Sequence, residues 1–338
     1  MTDAVIRTFP LGAPPWPTLD PFLFCVHHRD DYPVANAEMG PAVSLAGRAI
    51  GQDFSGRDGW SMYHGSTVPG FPQHPHRGFE TVTWARSGLI DHSDSLGATA
   101  RFGRGDTQWM TAGGGIVHAE MFPLLDREGP NPVELFQIWL NLPADDKMVD
   151  PYFTMLWAED IPSSSYTDEA GRSTEVTVMA GELDGLRPPP PPPDSWAGRA
   201  DTDVTIWHIV LDAGATWSLP TTAPTTTRVL YLFGGGALDV DGVECETSRG
   251  VVVRGDAAVP LRAGGERVEC LLLGGRPIDE PVAQYGPFVL NDEAGIRQAM
   301  LDYQQTGFGG WPWPRPDPVH DRTQGRFARH ADGTVESR

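Results

Sequence analysis

Two short segments constrain this chain more than anything else in it: each places two candidate metal ligands two residues apart. The first is His74-Pro75-His76, and the second, His118-Ala119-Glu120, begins 44 residues after His74. On a β-strand the side-chain period is two, so residues at i and i+2 point to the same face. If two such strands face each other across a small barrel, three imidazoles and one carboxylate converge on a single point. The pattern predicts strands that hold a metal ion. Gly113-Gly114-Gly115 lies just before His118, where a sharp turn would bring a strand end up to the site.

The remainder of the sequence also favours strands. Gly (39) and Pro (32) are abundant among 338 residues and divide the chain into short apolar runs. Strands are expected at Thr81–Ala85, Gly105–Met110, Leu135–Leu140, Glu175–Ala180, Val204–Leu211, Thr226–Leu232, Val251–Arg254 and Val268–Leu273. This spacing fits two antiparallel barrels in tandem, which is an all-β fold. The expected organisation is a metal-binding barrel at 1–150, a second barrel at 175–305 that lacks an H-x-H pair and is expected to be metal-free, and a C-terminal arm at 306–338. The boundary is expected between Pro143 and Glu175, around the polar stretch Ser163 to Asp168. One helix is expected at Asn291–Gln304, capped by Asn291, with Ile296, Met300 and Tyr303 on one face. The proline run 188–193 cannot enter a sheet and reads as a polyproline II excursion on the surface.

Charge narrows the partners. The formal net charge is −20 and Lys147 is the one lysine, so direct binding to a nucleic-acid backbone is not expected. No run of about 18 apolar residues suggests a membrane span. The first residues lack the basic flank and apolar stretch of a signal peptide, which makes a cytoplasmic location the expectation. Cys25, Cys245 and Cys270 are scattered, odd in number and outside any C-x-x-C pair, so they read as reduced, buried thiols.

Three neutral imidazoles and a carboxylate suit a first-row metal such as Fe, Ni, Cu, Mn or Zn, and leave coordination positions open on an octahedral ion. A structural zinc site would more often be closed by four ligands that include cysteine. The candidate ligands are therefore His74, His76, His118 and Glu120, and the set leans toward catalysis or sensing. Glu80 competes for the carboxylate role, since a regular strand would point it the same way as His76. Arg77 is a candidate for orienting a carboxylate, against the plainer reading of an exposed salt bridge. His27, His28, His64, His92, His208, His320 and His330 are read by default as ordinary core or surface residues.

Both segments resemble the pirin family of bicupins. The resemblance runs from Gly70-Phe71-Pro72 through His74–Thr83, Asp94-Ser95-Leu96-Gly97, Gly105-Asp106, Gln108–Gly113, Gly115–Glu120 and Trp139–Pro143. It returns at Pro277-Ile278, Glu280-Pro281-Val282, Gln284–Val289 and Ile296–Ala299, so it covers most of residues 70–145 and 270–303. It implies two tandem cupin (double-stranded β-helix, or jelly-roll) barrels. It also implies one divalent transition metal in the first barrel, held by His74, His76, His118 and Glu120, with Fe(II) foremost and Ni, Cu, Co, Mn and Zn open. Residues 39–66 are longer than the family's usual loop before Gly70, and are expected to form a lid or extra strands near the metal. The segment Arg187–Asp201 is likewise particular to this chain.

The resemblance implies a metal-dependent dioxygenase like the pirin-like quercetin 2,3-dioxygenases. Its substrates would be dioxygen and a flavonol or similar chelating enolic or aromatic compound, with Glu120 as general base. The alternative from another class is an iron-dependent redox-sensing regulator that binds a protein partner. A metal that only stabilises the fold is the third reading. A monomer is the expected state.

Overall fold

The structure, a computed structural model, describes residues 4–338 and is built almost wholly of strands. Thr81–Ala85 lies inside the strand Phe79–Ser87, Leu135–Leu140 inside Asn131–Asn141, and Glu175–Ala180 inside Ser173–Ala180. The backbone divides into two compact units that are not consecutive in sequence. One comprises residues 27–138, 142–158 and 280–338 and contains both candidate ligand pairs; the other comprises the chain up to Val26, residues 139–141 and residues 159–279. This differs from three pieces in chain order, and hydrogen bonding is the reason. The strand Val5–Pro10 pairs with Arg249–Val253, while Phe327–Arg329, from the expected arm, pairs with Thr99–Gly103.

Two sheets form the metal-site unit. A six-stranded sheet runs in the order Val335–Ser337, Phe327–Arg329, Thr99–Gly103, Leu89–Asp94, Ile116–Met121, Gly70–His76. A five-stranded sheet runs Tyr152–Leu156, Thr107–Thr111, Phe79–Ser87, Asn131–Asn141, Phe22–Tyr32. Ile90, Phe102, Met110, Ile116, Leu135, Phe153 and Trp157 pack with Tyr32, Trp60 and Met62 in its core. The long segment 39–66 is mostly irregular and folds around Asp53. That carboxylate accepts hydrogen bonds from Arg48 (2.9 Å), the Ser55 hydroxyl (2.6 Å) and the Met62 backbone (3.0 Å).

In the other unit, a seven-stranded and a four-stranded sheet share a core that follows strict alternation. Val176 and Val178, Ile209 and Leu211, Leu230 and Leu232, Val251 and Val253, and Cys270 and Leu272 all point inward. Period two sends each such pair to one face, and full burial of each large aliphatic contributes about 1.5–3 kcal/mol. Ser163–Thr167, expected near a boundary, is instead a strand paired with Ser173–Ala180. Its serines fit because it is an edge strand with alternate residues exposed. The three cysteines are free and buried.

The helix runs Glu293–Thr306 and is capped by Asp292, whose carboxylate accepts from the Gly295 backbone at 2.7 Å. Asn291 instead donates its amide to Glu280 (2.9 Å) and to the Pro281 carbonyl (3.1 Å). Ile296 and Ala299 pack on Val117, Phe288, Leu290 and Phe308, with Met300 and Tyr303 against the same cluster. Among the described residues, no helix is long and apolar enough to cross a membrane. Lys147 is 2% exposed, and its ammonium donates to the carbonyls of Gly78 (2.9 Å) and Val289 (3.2 Å). Burial pushes it down to about 8.

Arg101 fastens the C-terminal segment. It is fully buried with Asp91, bonded through Nε (2.6 Å) and Nη2 (2.7 Å). Its remaining donors reach the carbonyls of His320, Asp321 and Gln324. Replacing Arg101 by Leu leaves Asp91 buried without its cation, and removing one partner of such a pair costs about 3–5 kcal/mol. The expected result is a lower thermal midpoint together with proteolytic cleavage near residues 320–326 that the unaltered protein resists. Limited proteolysis followed by mass spectrometry measures both the site and the rate.

Candidate metal centre

The ligand pairs meet through strand register. Gly70–His76 and Ile116–Met121 are antiparallel, with His74 directly opposite His118 and a bulge between Phe71 and His74. On the other edge of Ile116–Met121 lies Leu89–Asp94, with His92 opposite Glu120 and Asp94 opposite His118. Directly opposed residues share a sheet face, so His74, His92, Asp94, His118 and Glu120 occupy one face, and His76 joins them at i+2. The glycine turn acts as expected. Gly113 has φ +45°, and a Cβ there would lie 2.1 Å from the Val149 carbonyl oxygen, so only glycine fits.

The three imidazoles cluster tightly. Ring centroids are 4.5 Å apart for His74 and His118, and 4.8 Å for each of the other two pairs. One ring nitrogen from each lies within 4.8 Å of the others, which makes this triad a group able to hold a metal ion. His74 donates Nδ1–H to the Pro72 carbonyl at 2.9 Å, which fixes the tautomer and leaves Nε2 as the lone pair. Both ring nitrogens of His118 are buried without a hydrogen-bond partner. Burial holds His74 down at about 4 and pushes His76 and His118 well below the usual imidazole range. All three are neutral at physiological pH, the form that binds metal.

Glu120 flanks this triad. It is 6% exposed, and Oε2 lies 4.0 Å from His118 Nε2. The Thr83 hydroxyl donates to Oε1 at 3.0 Å and also faces Gln137 Oε1 at 2.7 Å. Burial raises the Glu120 carboxyl, opposed by His92 and the Thr83 hydroxyl.

Glu80 does not join this face. Gly78, at φ +84°, breaks the extended run after His76, so the i+4 argument fails. Glu80 instead accepts from Thr111 Oγ1 (2.7 Å) and Trp109 Nε1 (3.2 Å). It sits three positions from Thr83 on one strand, hence on the opposite face from the group that holds Glu120. Arg77 does orient a carboxylate, but that of Asp302 (2.6 Å). It is 6% exposed, with Nε donating to the Gly114 carbonyl and its guanidinium over Phe308. Arg77 thereby ties the helix to the glycine turn.

His92 is a core residue, as the default reading has it, but it sits on the same face as the triad. It is fully buried, its ring lies 5.6 Å from that of His118, and Nε2 pairs with Asp94 Oδ2 at 3.1 Å. The signal was present in the sequence, because His92-Ser93-Asp94 is a third i, i+2 pair. Thr83 and Gln137 carry no comparable signal. The other histidines keep ordinary partners, such as His27 with Glu134, His208 with Glu269 and His330 with Glu336.

Comparison with known proteins gives a consistent answer. Residues 16–140 match the Pirin family profile and residues 206–309 match that of the Pirin C-terminal cupin domain. A Pseudomonas aeruginosa protein provisionally named quercetin 2,3-dioxygenase is 37% identical over 239 residues, 71% of this chain and 79% of that protein. Pirin from Homo sapiens is 34% identical over 251 residues, 73% of this chain and 80% of that protein. The crystal structure of a quercetin 2,3-dioxygenase from Acinetobacter baumannii aligns with a TM-score of 0.68 at 26% identity, covering 91% of this chain and 96% of that one.

Because burial already keeps the imidazoles neutral, protons compete with metal only at low pH. The affinity of the metal-free protein for Co(II) or Ni(II) is expected to change little from about pH 7 to 5. It should then fall as pH drops through about 4, where His74 protonates. Titration against a chelating dye across this range checks the expectation. A decline centred near pH 6.5 would mean that the histidines are not held neutral.

Proposed function

The chain belongs to the pirin family of two-cupin proteins, and from that premise we propose a metal-dependent, non-haem dioxygenase. It acts on a flavonol or a similar chelating enolic or aromatic compound. His74, His76, His118 and Glu120 hold one divalent first-row metal, Fe(II) foremost, with Ni, Cu, Co, Mn and Zn as alternatives. The observation that carries this reading is His118, whose two buried nitrogens have no hydrogen-bond partner within a neutral imidazole cluster. An unsatisfied buried polar group is costly, and a bound cation removes that penalty. The similarity to proteins named quercetin 2,3-dioxygenase supports the reaction class.

When bound, the metal supplies positive charge that polarises chelating oxygens and lowers their proton affinity. The chain supplies the rest. Glu120 takes the proton of the substrate's enolic hydroxyl, a role suited to a carboxylate whose affinity for protons burial has raised. Thr83 holds Oε1 so that the other oxygen stays on the His118 side. The imidazoles, held neutral by desolvation, contribute no charge of their own.

The test is oxygen uptake and carbon monoxide release with quercetin, using protein reconstituted separately with iron, nickel, copper, cobalt and manganese. Turnover with one or more ions is expected, and it should vanish in His118→Ala. Glu120→Gln should lower kcat about 10²–10⁴-fold, whereas Glu80→Gln, on the other face, should keep full metal stoichiometry. Stoichiometric metal binding without turnover for any ion would overturn the flavonol reading and move the weight to another substrate or to a redox-sensing regulator.

A further inference from the structure

The segment 39–66 builds a polar relay beside the metal centre that the four ligands do not use. Tyr63 is its centre. Its hydroxyl donates to Asp30 Oδ2 at 2.7 Å, and His28 Nδ1 lies 2.9 Å from the Tyr63 hydroxyl oxygen itself. Asp30 is 2% exposed, and its second oxygen accepts from the Ser61 backbone at 2.8 Å. Tyr63 adopts φ +55°, a conformation rare for a bulky residue, and paired backbone bonds to Asp53 (2.8 and 2.9 Å) hold it there.

Proton counting fixes the tautomer. A phenol has one hydrogen, and Tyr63 gives it to a carboxylate that can only accept. The phenol oxygen can therefore only accept from His28, so Nδ1 carries the hydrogen and Nε2 is a lone pair. Burial brings His28 down to about 4, so the ring is neutral. Nε2 makes no protein hydrogen bond among the described residues, and His28 is only partly buried.

The relay also lies close to the metal centre. His28, Asp30 and Tyr32 share one strand face, and Tyr32 is in the core of the metal-site unit. The Phe71 ring stacks on Tyr63 at 5.1 Å, lies 5.9 Å from His28 and meets His74 edge-on at 6.4 Å. Phe54, 56% exposed, adds a further ring 6.4 Å from Phe71. Phe71 thus neighbours both the His28 ring and the candidate ligand His74.

We infer that His28 Nε2 is a specificity-determining acceptor for a phenolic hydroxyl on the far ring of the substrate, with Phe71 as the apolar surface beneath that ring. The favoured ligands are flat polyphenols that chelate metal at one end and carry a hydroxyl donor at the other. This inference rests on the metal centre binding a chelating substrate.

The test uses quercetin and galangin, the same flavonol without outer-ring hydroxyls. Each is bound without oxygen to cobalt-loaded protein at pH 8, where Asp30, raised to about 6 by burial, is ionised. Titration calorimetry gives Kd. The unaltered protein should prefer quercetin by roughly tenfold or more, about the worth of one buried hydrogen bond. His28→Phe and Tyr63→Phe should both bring the ratio toward one with cobalt stoichiometry retained; Tyr63→Phe preserves the ring if His28→Phe does not fold. No preference in the unaltered protein, or a preference that survives in both variants, overturns the inference. Because binding is read without turnover, selective binding with no carbon monoxide release defeats only the dioxygenase reading. Turnover without selectivity defeats only this one.

Discussion

The register in which Gly70–His76 pairs with Ile116–Met121 governs what this protein can hold. His74 faces His118, and a slip of one residue would send His118 and Glu120 to the opposite face while turning Val117 and Ala119 inward. Several features fix that register. The bulge between Phe71 and His74 accommodates one strand to the other, and Leu89–Asp94 pairs along the far edge. At Gly70 the backbones approach so closely that a Cβ would lie 2.5 Å from the Glu120 carbonyl oxygen. The candidate metal-site face is therefore set by backbone hydrogen bonding before any side chain chooses a partner.

The two units show how the same period-two pattern serves different ends. In one, inward positions are filled by Val, Ile and Leu, and the interior is an ordinary apolar core. In the other, a patch of the inward face carries His74, His76, His92, Asp94, His118 and Glu120, all buried except the partly exposed His74. Burial has a chemical consequence there. It removes charge from His74, His76 and His118 and raises the proton affinity of Glu120, so the triad presents lone pairs rather than cations.

Most of the all-β fold was legible from Gly and Pro spacing, and the convergence of three histidines from the i, i+2 pattern. The reasons for the misreadings are specific. Glu80 was a plausible ligand only while the strand was assumed to continue past His76, and a positive φ at Gly78 ends it. Ser163–Thr167 lacks apolar residues because it is an edge strand, where pattern and propensity say little. The composition of the units was hidden because strand partners distant in sequence leave no local trace, as with Val5–Pro10 beside Arg249–Val253. The Asp30–Tyr63–His28 relay joins residues about 30 positions apart through side chains alone, beyond the reach of any periodicity.

Lys147 has a bearing on how the molecule meets its surroundings. It is the one lysine in 338 residues, and its ammonium is sequestered against the carbonyls of Gly78 and Val289. The folded surface of these units consequently offers arginine as its long cationic side chain and no accessible ε-amine. Enzymes that acylate, methylate or ubiquitinate lysine find no side-chain acceptor unless the region around the glycine turn opens. Lysine-directed cross-linkers likewise find no side-chain anchor on the folded surface, so any modification at Lys147 would report local unfolding beside Gly78 and the candidate metal centre.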